Sequence, residues 1–141
     1  MPEEKYTQLT HDLTLSFARA LLPLNSAMAF LYVTGAGTDS TEKGRVMWAR
    51  VKGRTENDLL ALGFKSAYMF RPGIIQPLHG IRSKTRLYQF FYDLTGPLMS
   101  LLRGPLGKYI NTTEQVGRAM VQVARDGYVK PILETTDINN F

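Results

Sequence analysis

The residues whose types and spacing could do chemistry are Trp48 and Lys52, together with two turns that flank them in the sequence. The pair stands four positions apart in Trp48-Ala-Arg-Val-Lys52, so on a helix both side chains project from one face. A helical lysine alone is usually a solvated surface residue. Here it lies between a Thr34-Gly35 turn and an Arg71-Pro72-Gly73 turn, each of which follows a predicted strand. This arrangement favours a functional site at the strand ends.

The glycine motif Thr34-Gly35-Ala36-Gly37 lies between a predicted strand and a predicted helix, which is where phosphate-binding loops occur. A dinucleotide loop of the form GxGxxG needs a third glycine at position 40, where this chain has Ser40. The Gly-Lys-Ser/Thr ending of a P-loop is also missing. The favoured interpretation is a turn that needs backbone freedom, and a pyrophosphate loop is the alternative.

Other kinds of site are disfavoured by composition. There is no cysteine, and His11 and His79 lie far apart, so the sequence predicts no metal site. The net charge of +5 permits an anionic partner without choosing one. The basic residues are scattered among acids such as Glu42, Glu56 and Asp58, so we expect no nucleic-acid partner.

The elements that must position these residues alternate between helix and strand, and we expect one domain over residues 1–141. The pattern predicts helices over 6–24, from a cap within 38–42 to about 62, and from 112 to about 125, with strands over 28–34, 65–70 and 128–134. This order is typical of a parallel α/β layer. The inward-facing residues predicted for the first helix are Leu9, Leu13, Phe17, Leu21 and Leu24.

Between Val33 and Gly73 the chain resembles the C-terminal half of a short-chain dehydrogenase/reductase, of the atypical group similar to NAD-dependent epimerases and dehydratases. In that family a strand ends in Ser or Thr, the next helix carries Tyr-x-x-x-Lys, and the following strand leads to an Arg-Pro-Gly turn. The resemblance implies an α/β, partial Rossmann-like three-layer fold, with two or three parallel strands flanked by helices.

The resemblance also implies roles for individual residues. Thr34 would orient the substrate's carbonyl or hydroxyl group, and with Gly35 it would border the cofactor. Lys52 would hydrogen-bond the nicotinamide ribose and lower the pKa of a neighbouring acid. The turn 71–73 (Arg71, Pro72 and Gly73) would form the wall around the nicotinamide. The implied cofactor is NAD or NADP, and the small-molecule substrate is unknown.

Two departures from the family pattern bear on activity. Trp48 stands in the position of the catalytic Tyr, and an indole N–H cannot act as a proton acid and base near neutral pH. Trp48 either lines the cleft or fills space in the core. In addition, no strand and glycine-rich loop precede Met28, which leaves the sheet edge open. We expect that edge to pair with a second copy, as a homodimer, or with a missing N-terminal half.

Location and membrane contact are read from two segments. Residues 1–5 lack the features of a secretory signal peptide, which predicts a cytoplasmic protein. The apolar segment Leu87–Leu102 is shorter than the roughly 20 residues of a membrane span. Basic residues surround it, so it either caps the substrate cleft or lies on a membrane surface. The alternative to a dehydrogenase-like enzyme is therefore a non-catalytic module that binds a protein or a membrane surface.

Overall fold

The computed structural model describes residues 1–76 and 107–141, and its centre is a parallel sheet. The strands are β1 (Ala29–Val33), β2 (Ser66–Arg71) and β5 (Ile132–Glu134), in the order β1-β2-β5. Strands β3 (Ile74–Gln76) and β4 (Ile110–Thr112) form a second parallel pair. The remaining elements are helices α1 (Glu3–Thr7), α2 (Leu13–Leu21), α3 (Met47–Ala61), α4 (Thr113–Asp126) and α5 (Thr135–Ile138), a π-helical turn (Gln8–Asp12) and a 3₁₀ turn (Gly107–Tyr109).

Helices pack on both faces of the three-stranded sheet, because successive side chains of a strand point to opposite faces. Met69 and Phe70, neighbours on β2, are both fully buried, but they belong to different clusters. The first cluster contains Leu15, Ala18, Phe30, Leu59, Phe64 and Met69, and the second contains Phe70, Ala119, Val123, Leu133 and Ile138. The predicted α/β, partial Rossmann-like fold is therefore confirmed, with three parallel strands.

The register brings the carboxyl ends of the three strands to one edge. Val33 pairs with Phe70 and Arg71 pairs with Glu134. The residues that follow these strands, including both predicted turns, therefore lie side by side. In open parallel sheets this carboxyl edge is where ligands bind.

The first helix is confirmed, but only one of its five predicted inward-facing residues, Leu21, packs against the first cluster. Helix α1, the π-helical turn and α2 follow one another over residues 3–21, which we call the N-terminal helix. Leu9, Leu13 and Phe17 are 53%, 62% and 61% exposed, and Leu24 is exposed beyond the helix end. Leu15, Ala18 and His11 are buried instead. The helix carries apolar residues on two faces, and spacing alone cannot tell which one packs against the sheet.

The long helix also begins later than predicted, at Met47. The polar residues 38–42 do not cap it, because Asp39 organises a turn of its own. The Asp39 carboxylate accepts hydrogen bonds from the Thr41 backbone N–H (3.0 Å), the Thr41 hydroxyl (2.6 Å) and the Gly44 backbone N–H (2.7 Å). These hydrogen bonds lower the pKa of Asp39, and the bond from the Thr41 hydroxyl has the largest effect.

The predicted start of the last long helix is confirmed. Thr112 and Gln115 form a reciprocal capping box, and the helix ends at Gly127, whose φ of 77° suits glycine. The apolar segment Leu87–Leu102, predicted to cap the substrate cleft or to lie on a membrane surface, falls outside the described residues. Among the helices of residues 1–76 and 107–141, none is long and apolar enough to cross a membrane.

Candidate functional site

A cleft of about 530 Å³ opens at the carboxyl edge of the sheet. It brings together five of the predicted site residues, Gly35, Trp48, Lys52, Pro72 and Gly73, and adds four others to its lining, Ala36, Ile74, Tyr109 and Thr135. Trp48 is 40% exposed, so of its two interpretations the structure favours the cleft over the core. Thr34 and Arg71 lie next to this lining but are not part of it.

The two turns are held together by backbone hydrogen bonds that continue the pairing of β1 with β2. The Thr34 N–H donates to the Phe70 carbonyl, and the Ala36 N–H donates to the Pro72 carbonyl, both over 2.8 Å. Gly37 has a φ of 85°, and a Cβ there would lie 3.5 Å from the Trp48 ring. That distance is an ordinary van der Waals contact, so the positive φ of the turn, rather than the indole, is what favours glycine here.

Lys52 points from α3 toward the end of β1. Its Nζ donates a hydrogen bond to the Thr34 carbonyl over 2.7 Å and lies 5.7 Å from the centroid of the Trp48 ring. Burial lowers the pKa of Lys52, although the negative charge of Glu56 acts in the opposite direction. Because one of the three ammonium protons goes to Thr34, two others can reach a ligand.

The side chain of Thr34 is directed away from the cleft. Its Oγ1 lies 2.5 Å from Glu56 Oε1 and 3.2 Å from the Phe70 carbonyl oxygen, and the residue is buried. Its backbone carbonyl, rather than its hydroxyl, contacts the lysine at the cleft. The role implied for the Thr34 hydroxyl, orienting a substrate, stays a prediction.

Arg71 lies beneath the cleft and pairs with two carboxylates. Its Nε is 3.1 Å from both Glu56 oxygens, its Nη2 also contacts Glu56, and its Nη1 donates to Glu134 over 3.0 Å. Burial lowers the pKa of Arg71, but the hydrogen bonds and negative charges of Glu56 and Glu134 together outweigh burial, so the net pKa is raised. Only the backbone of Arg71 approaches the cleft lining, where its carbonyl oxygen accepts a hydrogen bond from the Thr135 hydroxyl over 3.2 Å.

Gly73 is required where the second turn meets the 3₁₀ turn. A Cβ at this position would lie 2.1 Å from the Tyr109 carbonyl oxygen. The Gly73 N–H donates to Asn111 Oδ1 (2.9 Å), and Asn111 Nδ2 donates to the Thr135 carbonyl (3.1 Å). The buried Asn111 amide thus joins the turn after β2 to the residue after β5.

Sequence reasoning missed the residues that support the cleft. It counted Glu56 among the scattered acids, whereas the structure buries this side chain completely. The available signal was its spacing, since Trp48, Lys52 and Glu56 recur every four positions on one helical face. Asn111 and Thr135 are distant in the chain and carried no local signal.

Two curated fungal proteins are similar to this chain. The Emericella nidulans protein fmp52, mitochondrial, is 28% identical over 122 residues, covering 84% of this chain and 48% of the relative. The Saccharomyces cerevisiae protein FMP52, mitochondrial, is 32% identical over 96 residues, covering 67% of this chain and 38% of the relative. The chain thus spans at most about half the length of these relatives. No family model and no solved structure matches it.

The predicted cytoplasmic location is contradicted by these relatives, because both are named as mitochondrial proteins. The inference failed for a simple reason. The lack of secretory signal features argues against one export route, and it does not choose between the cytoplasm and an organelle.

Proposed function

We propose that the cleft is the nicotinamide side of an NAD- or NADP-binding site in an oxidoreductase- or epimerase-like protein. Support comes from its place at the carboxyl edge of a parallel sheet, where such cofactors bind, and from the resemblance of residues 33–73. Both turns of that resemblance, at Gly35 and at Pro72–Gly73, border the cleft together with Lys52.

The observation that carries the proposal is the position of the Lys52 ammonium. It is half-buried, it is fixed on the Thr34 carbonyl, and none of the residues lining the described cleft is a carboxylate that would neutralise it. Two of its protons are available to ribose hydroxyls, and the walls formed by Trp48, Pro72 and Tyr109 suit a flat ring.

Trp48 separates binding from turnover in this proposal. The cofactor would supply or accept a hydride, and reduction of a carbonyl then needs a proton that an indole does not provide. We therefore propose cofactor binding with impaired proton transfer. Replacing Trp48 by Tyr would place a phenol one helical turn before Lys52, where the ammonium lowers the pKa of that phenol.

The proposal also covers the protein's location and the source of the remaining contacts to the cofactor. Because both relatives carry mitochondrial names, we propose a mitochondrial location for this protein. We propose that the remaining contacts to a dinucleotide come from polypeptide corresponding to the part of the relatives that this chain does not match.

Fluorescence offers a direct test, because Trp48 is the sole tryptophan of the chain. Titration with NADPH and with NADH should give saturable energy transfer from Trp48 to the dihydronicotinamide ring. Lys52→Met should weaken binding about 10- to 100-fold, as loss of a charged hydrogen bond does. The control is Lys65→Met, since Lys65 is exposed at the opposite end of β2. A folded chain without saturable transfer, or equal binding by Lys52→Met, would contradict the proposal.

A second candidate function, a protein-interaction module, is favoured by the exposed apolar residues of the N-terminal helix. Leu9, Leu13 and Phe17 form a stripe, the outer stripe, that a protein partner could cover. Light scattering after size-exclusion chromatography, over a wide range of concentrations, tests self-association through it. Association that Leu13→Gln and Phe17→Gln abolish would support this candidate, and a monomer throughout would argue against it.

A further inference from the structure

We propose that Glu56 is a positioning residue for the Lys52 ammonium, acting through Thr34 and through its own charge. The inference rests on the proposed function for the role of Lys52 toward a ligand. It concerns a residue one helical turn beyond Lys52 that does not itself line the cleft.

The geometry links the two side chains through one residue. Glu56 Oε1 accepts the Thr34 hydroxyl over 2.5 Å, and the carbonyl of the same threonine accepts a proton of Lys52 over 2.7 Å. Thr34 follows β1 directly, where its backbone N–H is already bonded to the Phe70 carbonyl. With both its side chain and its N–H fixed, the Thr34 carbonyl has a defined direction, and the lysine is held at the cleft.

Glu56 is itself held in place by a cation. The carboxylate is completely buried, and the Arg71 guanidinium contacts both of its oxygens. Arg71 in turn bonds to Glu134 and to the Ser40 hydroxyl. The carboxylate is therefore held directly by two side chains, Thr34 after β1 and Arg71 on β2, and Arg71 is itself held by its other two partners.

Charge adds a second effect on the lysine. Burial lowers the pKa of Lys52, and the negative charge of Glu56 opposes that change. Other charged or titratable groups on elements around the site are Asp39 in the preceding loop, Tyr32 on β1, Arg71 on β2, Glu134 at the end of β5, and Lys108 and Tyr109 in the 3₁₀ turn. Among all these groups, Glu56 is the carboxylate whose charge acts on Lys52. It thus favours the ammonium form that donates to the Thr34 carbonyl.

A buried Glu–Arg pair can also be purely structural, so the test must report on Lys52 itself. The pKa of Lys52 is measured in the chain without ligand by NMR of ¹³C-dimethylated lysines, with Lys52→Arg identifying the signal. Glu56→Gln should move the midpoint of Lys52 to lower pH. Glu134→Gln, which removes the more exposed partner of Arg71, should leave it unchanged. An unchanged midpoint in folded Glu56→Gln, or an equal change in both variants, would overturn the proposal.

A second measurement needs no substitution at Glu56 and so does not depend on that variant folding. In the unsubstituted chain with ¹³C-labelled glutamate, the Glu56 carboxylate signal should show an inflection at the midpoint of Lys52. Lys52→Met should remove that inflection. A carboxylate signal that is flat through the Lys52 midpoint contradicts the proposal.

These results separate the inference from the proposed function. Failure of both NADPH and NADH to bind would contradict the cofactor proposal while leaving the coupling of Glu56 to Lys52 measurable. If NADPH binds, Glu56→Gln should move the pH at which affinity is lost to lower values, in step with the Lys52 midpoint. Binding whose pH dependence is the same in both proteins would show that Glu56 does not act on the lysine in the complex.

Discussion

Folded proteins usually bury apolar side chains and expose polar ones, and two regions of this molecule differ from that pattern. The carboxyl edge of the sheet buries polar side chains, whereas the outer stripe of the N-terminal helix exposes apolar ones. At the edge, Glu56, Arg71 and Asn111 are polar and buried. On the outer stripe, Leu13 and Phe17 are apolar and more than half exposed. Within residues 1–76 and 107–141, every buried side-chain N or O has a hydrogen-bond partner, whereas no described residue covers the outer stripe.

The comparison shows how the cost of burying a polar group is offset in one region and how the cost of exposing apolar groups is left in the other. Burial of a charge is tolerated where the fold supplies a partner of opposite sign, as Arg71 does for Glu56. The edge is therefore a self-contained structure whose polar contacts are satisfied within the chain. On the outer stripe the apolar side chains remain more than half exposed, and exposed apolar surface of this kind is typical of sites that contact another protein.

The largest effect should come from breaking the charge pair at the edge. Arg71→Met leaves the Glu56 carboxylate buried beside an apolar side chain, and we expect a loss of about 3–5 kcal/mol in the free energy of unfolding. Urea denaturation measures it. Arg118→Met removes an exposed i,i+4 pair with Glu114 and should cost about 0.5 kcal/mol or less. Equal losses would mean that the buried pair is no more important than a surface one.

Two leucines of the N-terminal helix sharpen the contrast between its faces. Leu15 is 1% exposed in the first cluster, so Leu15→Ala should lower the free energy of unfolding by about 2–5 kcal/mol. Leu13→Ala should change it by less than about 0.5 kcal/mol, because this side chain is already in water. Thermal or urea unfolding of the two variants decides. A larger loss of stability for Leu13→Ala than for Leu15→Ala would mean that the face containing Leu13 packs inward, as the apolar spacing predicted.

Substitutions at two helical glycines, Gly53 in α3 and Gly117 in α4, test how closely the loop before α3 packs against α3. A Cβ at Gly53 would lie 1.8 Å from the Asp39 carbonyl oxygen, whereas a Cβ at Gly117 would meet nothing within 4 Å. Gly53→Ala should therefore cost about 1–3 kcal/mol of stability despite its better helix propensity. Gly117→Ala should gain about 0.5–1 kcal/mol. If Gly53→Ala were also stabilising, the close crossing would be wrong.

The smallest effect should be local and dependent on pH. The lowered pKa of Asp39 means that its stabilising bonds are present above the ordinary value of 3.8 and are lost as pH falls through the lowered pKa. Amide signals of Thr41 and Gly44 should shift together in that acidic range, while those of the outer stripe stay constant. Asp39→Asn should abolish this pH-dependent change of the two amide signals. If the change persists in the variant, another carboxylate causes it.

The extent of sequence-based prediction differs between the same two regions. The three strands of the main sheet, the α4 capping box and the Gly35 and Gly73 turns were predictable, because local residue chemistry specifies them. The last of these strands begins at Ile132 rather than at residue 128, and the short strands β3 and β4 were not predicted. The inward face of the N-terminal helix was not, since Leu13 and Leu15 both belong to apolar spacings. The support of the cleft by Asn111 was also unpredictable, because it depends on the pairing of β3 with β4 across a long stretch of chain.

The central proposal is that the cleft at the carboxyl edge binds the nicotinamide end of NADH or NADPH. The most direct test is chemical-shift mapping of the ¹⁵N-labelled 141-residue chain during titrations with each of the two cofactors. We predict saturable shifts for the Trp48 indole N–H and for the backbone amides of Gly35, Gly73 and Thr135, with Leu13 unchanged. Shifts confined to the N-terminal helix, or no shifts in a folded chain, would contradict the claim.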